Sequence, residues 1–337
     1  MLYSNEDLEN LRHRWTSPKG QRILKTIREA RCYLSPVLFR EKVHGLPGIN
    51  DPEVAESVDL RGAPLSGFDF RISVQEDDNG FSESIALLSN IHFEGATLRH
   101  CNFEGGRIHD CSFENTDLSF TEFKTASLTS CNFSEADLTE VNLRSAKLTD
   151  CNFSNATIKD VSLDTTFVDE KTTFGKVSKS EKEENFYSAA IEYKQIKEMY
   201  KNSSLHQQAD DYHYKEMVTK RKSIPLKSPK RWLAYIFGDL LCKYGISYTR
   251  VIAWGAIIVV SFALIAHVQK SLLYNNELVQ VTFSDTLYFS LVTFTTLGYG
   301  DFHAIVLMRF AAGIESFIGA SLISLFTVIV ARKIIRD

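Results

Sequence analysis

The sequence predicts a multidomain membrane protein: a square coil of five-residue sides, then a helical hairpin, then two membrane-crossing helices with a re-entrant segment between them. Three observations carry this reading. Large apolar residues recur at every fifth position from Leu88 to Leu163, the period turns helical after Phe174, and two long apolar runs near the C-terminus flank the stretch FSDTLYFSLVTFTTLGYGD.

Charge already separates these parts. Residues 58–170 hold 8 basic and 20 acidic side chains, a net charge of 8 − 20 = −12, while the whole chain of 337 residues sums to −4. The compensating positive charge is concentrated between Lys220 and Arg231, which marks distinct modules. The six cysteines form no CxxC pair and have no histidine partner at zinc spacing, so they read as reduced packing residues. The N-terminal MLYSNEDLENLRHRW lacks an apolar h-region, and everything before the first span is expected in the cytoplasm.

Residues 1–57 read as short amphipathic helices capping the next domain, with Leu11, Ile23, Ile27 and Leu34 as core positions and a turn at Gly45 to Gly48. Periodicity begins at Leu60. The apolar positions are Leu88, Phe93, Leu98, Phe103, Ile108, Phe113, Leu118, Phe123, Leu128, Phe133, Leu138, Leu143, Leu148, Phe153, Ile158 and Leu163, and a smaller residue such as Ala96, Cys111 or Ala136 stands two places before most of them. A period of five suits neither a helix nor a strand, because each repeat would rotate the apolar residue to a new face. The chain must turn a corner at every repeat. Four corners close a coil of 20 residues, so positions 20 apart should stack about 4.8 Å apart, and Phe93, Phe113, Phe133 and Phe153 form such a ladder.

With copies such as ENTDL at 114–118 and SEADL at 134–138, residues 58–170 resemble the pentapeptide-repeat family, A(D/N)LxX in consensus. The resemblance implies a right-handed quadrilateral β-helix with small residues and Leu or Phe pointing inward. Leu60, Leu65 and Phe70 share the register, but the gap to Leu88 is not a multiple of five, and the polar Gln75 to Gly80 reads as a loop leaving the coil.

Residues 171–222 carry helical spacing at Phe186, Ala190, Tyr193, Ile196 and Tyr200, a turn at Asn202 to His206, and a second helix through Ala209, Tyr212 and Met217. Residues 223–249 form a basic linker with two prolines and a partly apolar segment suited to a membrane surface, and anionic lipid is the partner expected for the positive stretch 220–231.

Residues 250–337 are read as the membrane module. Nineteen uncharged residues lie between Arg250 and Lys270, about 28 Å of helix and enough to cross a bilayer core. A second run, Phe310 to Ala331, is broken only by Glu315. The residues between them, Phe283 to Asp301, resemble the pore helix and selectivity filter of the two-transmembrane potassium channel superfamily, whose filter pattern is TxGYGD. The resemblance places the potassium site at Thr296, Leu297, Gly298 and Tyr299, with Gly300 and Asp301 at its outer end. It implies a homotetramer, since one chain supplies a quarter of the carbonyl cage that replaces the ion's water. Glycines at 298 and 300 suit carbonyls that must point inward in succession, where φ can be positive. Ser284 is expected to cap a helix from Asp285 to about Thr295, whose C-terminal partial charge favours a cation. Val292 occupies the position where some relatives place a glutamate, so Asp301 lacks that carboxyl partner.

Basic residues before the first span and after the second put both termini in the cytoplasm, in a plasma membrane of bacterial inner-membrane type. Gly319 stands where resembling channels place an inner-helix hinge, which would set Ile323, Thr327 and Ala331 on a pore-lining face. Close helix packing explains Gly319 equally. Glu315 is an ionisable residue inside a span and so a functional candidate, expected to be paired near the filter's outer scaffold. His267 reads as a residue of the wet outer interface. No phosphate loop, metal cluster or nucleophile constellation points to an enzyme, and no cofactor is expected beyond the permeant K+. Two rivals stand: a non-selective cation channel, against which Tyr299 and Gly300 argue, and an acidic DNA-mimicking repeat anchored to the membrane. The acidic surface is read as solvation, with nucleic acid not expected as a partner. No voltage-sensing helix is visible, and only six residues follow Ala331, too few for a C-terminal regulatory ring.

Overall fold

Every fifth residue of the coil bends the chain through a left-handed backbone conformation. The computed structural model describes residues 4–29, 58–74, 83–269, 272–274 and 281–336, and it divides into two units, Met1–Ser223 and Ile224–Asp337. In the first unit φ is positive at Asn90, Gly95, His100, Gly105, Asp110, Asn115 and so on by fives to Thr165. Corners such as Phe93 to Ala96 close with an amide-to-carbonyl bond from the fourth residue to the first, 2.8 Å, and a positive φ at the third position is what a type II turn requires. Most of these corners use Asn, Asp, Ser or Gly, which tolerate that conformation, but Phe120, Thr125 and Thr165 adopt it too.

The sides stack as parallel ladders. One is a sheet of Leu87–Ser89 (β4), Arg107–His109 (β6), Ser127–Thr129 (β7), Lys147–Thr149 (β8) and Phe167–Val168 (β9), paired parallel in that order with Leu88, Ile108, Leu128, Leu148 and Val168 in register. Val58–Asp59 (β1) pairs with Ile91–His92 (β5) on another side. All sixteen apolar repeat positions are buried. The Phe93–Phe113, Phe113–Phe133 and Phe133–Phe153 rings stack at 5.0, 4.7 and 4.7 Å, matching the expected rise. A second Phe column, Phe70–Phe103–Phe123, runs beside it. Cys101, Cys111, Cys131 and Cys151 pack inside as apolar groups, and burial pushes the Cys101 and Cys111 thiols up to about 12.

The irregular gap after Phe70 now has a cause. Most partners stand 20 residues apart, but Pro64 pairs with Thr97 and Asp69 with Asn102, a separation of 33. The 13 additional residues leave the coil through Ile72–Val74 (β2) and Glu83–Ile85 (β3), which pair antiparallel. The loop expected at Gln75 to Gly80 lies outside the described residues, as do Leu34, Cys32 and the Gly45 to Gly48 turn.

Both ends of the coil are covered. Asn5–His13 (α1) and Pro18–Glu29 (α2) bury Leu11, Trp15, Ile23 and Ile27 at the first end. There the Arg14 guanidinium grips the Asp59 carboxylate at 2.6 and 2.9 Å, and Trp15 donates to the Arg61 carbonyl at 2.7 Å. Burial alone would raise the Asp59 pKa, but the guanidiniums of Arg14 and Arg61 outweigh it and hold it at about 2. At the other end Phe174 stacks on Phe153 at 4.7 Å and meets Tyr200 edge-on. Tyr200 lies on Phe186–Asn202 (α4), which follows the short Lys179–Lys182 (α3) and pairs with His206–Ser223 (α5). The hairpin thus lids the coil, a role its sequence did not announce. Glu216, nearly buried on α5, gathers Lys197 at 2.9 Å and Lys220 at 2.5 Å, while Lys222 reaches Glu181 at 2.8 Å. Lys220 and Lys222, assigned from sequence to a lipid-facing basic stretch, therefore serve the hairpin's own ion pairs.

The second unit opens with Pro229–Leu233 (α6) and a π-helical segment, Ala234–Leu240, that exposes Trp232, Leu233, Ile236 and Phe237. Among the described residues, Tyr248–Gln269 (α7) and Val306–Arg336 (α9) are the two helices long and apolar enough to cross a membrane. Between them lie Leu272–Tyr274 (β10), Phe283–Phe294 (α8) and Phe302–Ala304 (β11), with β10 and β11 antiparallel.

Candidate pore and filter

Helix α8 is positioned by its ends. Its N-cap is Thr282, not Ser284 as the sequence suggested: the Thr282 hydroxyl accepts from the Asp285 amide at 3.4 Å and the Asp285 carboxylate accepts from the Thr282 amide at 2.8 Å. This reciprocal capping box satisfies two donors where a Ser284 cap would satisfy one, which explains the shift. At the other end the Thr296 amide donates to Thr293 and the Leu297 amide to Val292, both at 3.0 Å, with Thr296 at φ 60°. This is a Schellman termination, and it places a β-branched residue where glycine is usual. The strain falls on the first residue of the candidate filter, a feature that spacing alone did not reveal.

From there Gly298 and Gly300 take φ of 54° and 79°, so the backbone from 297 to 300 alternates in a way that L-residues at those two positions would resist. A Cβ at either glycine would meet nothing within 4 Å in this chain, so conformation rather than crowding selects glycine there. Leu297 and Tyr299 are 61% and 69% exposed, meaning that one chain alone does not cover the filter segment. The Asp301 carboxylate accepts from the Phe302 amide at 3.1 Å, and the Tyr288 ring of α8 meets the Phe302 ring edge-on at 6.0 Å. Tyr288 is a partner the sequence reading missed. Val292, at the position where a glutamate was considered, is buried and apolar.

Behind the filter, α9 packs its buried stripe of Glu315, Gly319 and Leu322 toward the other helices. A Cβ on Gly319 would lie 2.0 Å from the Phe294 carbonyl oxygen, so the inner helix meets the end of α8 backbone to backbone there. Helix α9 runs unbroken from Val306 to Arg336 through this point. Ile323, Thr327 and Ala331 are exposed in the single chain. Glu315 has no exposed surface, and its partner is the Ser290 hydroxyl of α8. His267 is exposed on α7 and meets the Phe283 ring edge-on at 5.9 Å. Among the described residues no group of three or more His, Cys, Asp or Glu could hold a metal ion.

Comparison with known proteins agrees with this division. The ion channel family matches residues 247–336, and eight copies of the pentapeptide repeat match over 86–115, 107–144 and 136–164. No curated protein matches the chain. Solved structures similar to it include HetL of the cyanobacterium Nostoc sp. strain PCC 7120, at 22% identity over 33% of this chain with a TM-score of 0.29. This chain spans 47% of the HetL chain, about half its length. Rfr23 of the cyanobacterium Cyanothece 51142 shares 20% identity over 34% of this chain and 87% of its own, with a TM-score of 0.27. A pentapeptide repeat protein of the Arabidopsis thaliana thylakoid lumen shares 27% over 38% of this chain and 78% of its own, with a TM-score of 0.29. The chain carries an ion channel domain and a pentapeptide-repeat β-solenoid.

Proposed function

We propose that four copies of this chain form a potassium-selective channel in a plasma membrane of bacterial inner-membrane type, with both termini and the β-solenoid in the cytoplasm. The observation that carries the reading is the segment Thr296 to Asp301. It follows a short capped helix between two apolar helices, has positive φ at both glycines and leaves Leu297 and Tyr299 uncovered by its own chain. Backbone carbonyls from four such segments complete a dehydrated-ion cage that one segment cannot, and the carbonyl end of α8 adds a partial negative charge below it. Leu297 in place of the commoner Val contributes only its carbonyl to the pore.

The exposed Ile323, Thr327 and Ala331 line the route below the filter in this arrangement. Gly319 sets the approach of α9 to α8 and is the place where bending would move that face. Lys227 and Lys230 of the linker, together with exposed Trp232 and Phe237, suit an anionic lipid surface. The acidic coil is ascribed to solvation and docking rather than to nucleic-acid mimicry.

Purified protein in liposomes under mixed potassium and sodium gradients tests the reading. A reversal potential near the potassium equilibrium value and a particle of four-chain mass are expected. A potential that ignores which cation is on which side would replace potassium selectivity with general cation conduction, and a conducting particle of one or two chains would overturn the tetramer.

A further inference from the structure

Ser290 and Glu315 meet at a node that the filter itself does not use. Ser290 lies on α8 about two turns before Thr296; Glu315 lies on α9 one turn above Gly319. Both side chains are essentially inaccessible. The Ser290 hydroxyl is in hydrogen-bond contact with Glu315 Oε1 and stands 2.9 Å from the Val259 carbonyl oxygen of α7. The node therefore ties three helices together at one level. Glu315 Oε2 has no hydrogen-bond partner, and among the described residues no cation pairs with this carboxyl.

Proton counting decides what the node needs. A serine hydroxyl has one proton to give and two lone pairs to accept with. Val259 O can only accept, so if Ser290 gives its proton there, the bond to position 315 exists only when the side chain at 315 donates. If Ser290 instead donates to Glu315, the Val259 contact is two acceptors face to face, and an unpaired negative charge sits in an apolar enclosure at high cost.

We propose that Glu315 is a positioning residue that holds the filter-bearing helix α8 against α7 and α9, and that it does so as a hydrogen-bond donor to Ser290 rather than as a negative charge. The inference rests on the channel reading above, because its consequence is the placement of Thr296 to Asp301. Side chains at 315 then rank by whether they reach Ser290 and donate: Glu and Gln serve, Leu does not, and Asp falls short by one methylene.

The test compares full-length wild type, E315Q, E315L, E315D, S290A and the double variant S290A/E315L in liposomes, reading potassium flux, the potassium-to-sodium reversal potential and retention of the assembled particle. E315Q should match wild type within about twofold in flux with the same reversal potential, while E315L, E315D and S290A each lose on the order of tenfold in flux or discrimination, as expected for one buried hydrogen bond. S290A/E315L should be no worse than the poorer single variant, because both remove the same bond. E315Q behaving like E315L would show that charge is required and overturn the proposal. Wild-type behaviour in both E315L and S290A would do the same. Should E315L fail to assemble, E315Q and S290A still decide, since one keeps the donor and the other removes its acceptor. Wild-type protein that carries no potassium would sink the channel reading, whereas a conducting wild type with the variants ranked otherwise sinks only the role given to Glu315.

Discussion

The coil and the pore domain bury their apolar surface in opposite ways. In the coil the paired positions stand 20, 21 or 33 residues apart on the same chain, and helices at both ends cover the terminal layers. The pore domain leaves Phe310, Phe317, Leu297 and Tyr299 open in a single chain. A stack of like layers needs only caps to be finished, whereas the proposed channel would complete its filter and spans with lipid and further copies. Damage to the coil should therefore be local in its effect on stability, and damage to the pore domain should show in assembly and conduction.

The largest effect should come from Phe133→Asp. The ring stacks between Phe113 and Phe153, each at 4.7 Å, so a carboxylate there is buried without a partner and costs several kcal/mol. The coil should become protease-sensitive in full-length protein, and an unchanged digestion pattern would contradict the stacked interior. Asp59→Asn should cost about 3–5 kcal/mol, since it leaves Arg14 and Arg61 buried without a counter-charge. The same pair has a pH signature. The Asp59 pKa is depressed to about 2 in the fold, so its stabilisation, about 2 kcal/mol, is present above the ordinary carboxylate pKa of about 4 and is lost as pH falls from there through 2. Melting curves of wild type should show that acid loss, and D59N should not.

Gly319→Ala tests the other region. The added methyl would have to displace the Phe294 carbonyl, which overpacking data value at about 1–3 kcal/mol. Assembly or flux should fall while the coil melts unchanged; a coil that melts earlier would break the separation drawn here. The smallest effect belongs to Thr125→Asn. Thr125 is exposed at φ 58°, a conformation that a β-branched residue resists and Asn tolerates, so this variant should melt slightly higher, by about 0.5–1 kcal/mol, with flux unaltered.

Much of this was legible in the residues because it is periodic. The period of five forces a corner per repeat, and the 20-residue Phe ladder then follows from closure. The two spans are legible because a bilayer demands about 20 apolar residues in a row. The N-cap of α8 was misplaced because Ser284 and Thr282 are both good caps, and only the reciprocal bond with Asp285 separates them. The excursion at β2 and β3 left one trace, a gap out of step with five, that did not say how many residues leave the coil.

What the chain determined by itself is whatever repeats locally: the coil, its inward residues, the apolar spans and the glycines of the filter segment. What only the tertiary structure decided is which residues distant in sequence meet. Tyr200 over the last Phe layer, Lys220 on Glu216, Tyr288 against Phe302, Gly319 against the Phe294 carbonyl and Ser290 on Glu315 have no periodic signature. Each depends on how two elements pack, and packing is fixed by shape and by paired polar groups across the contact rather than by spacing along one strand or helix.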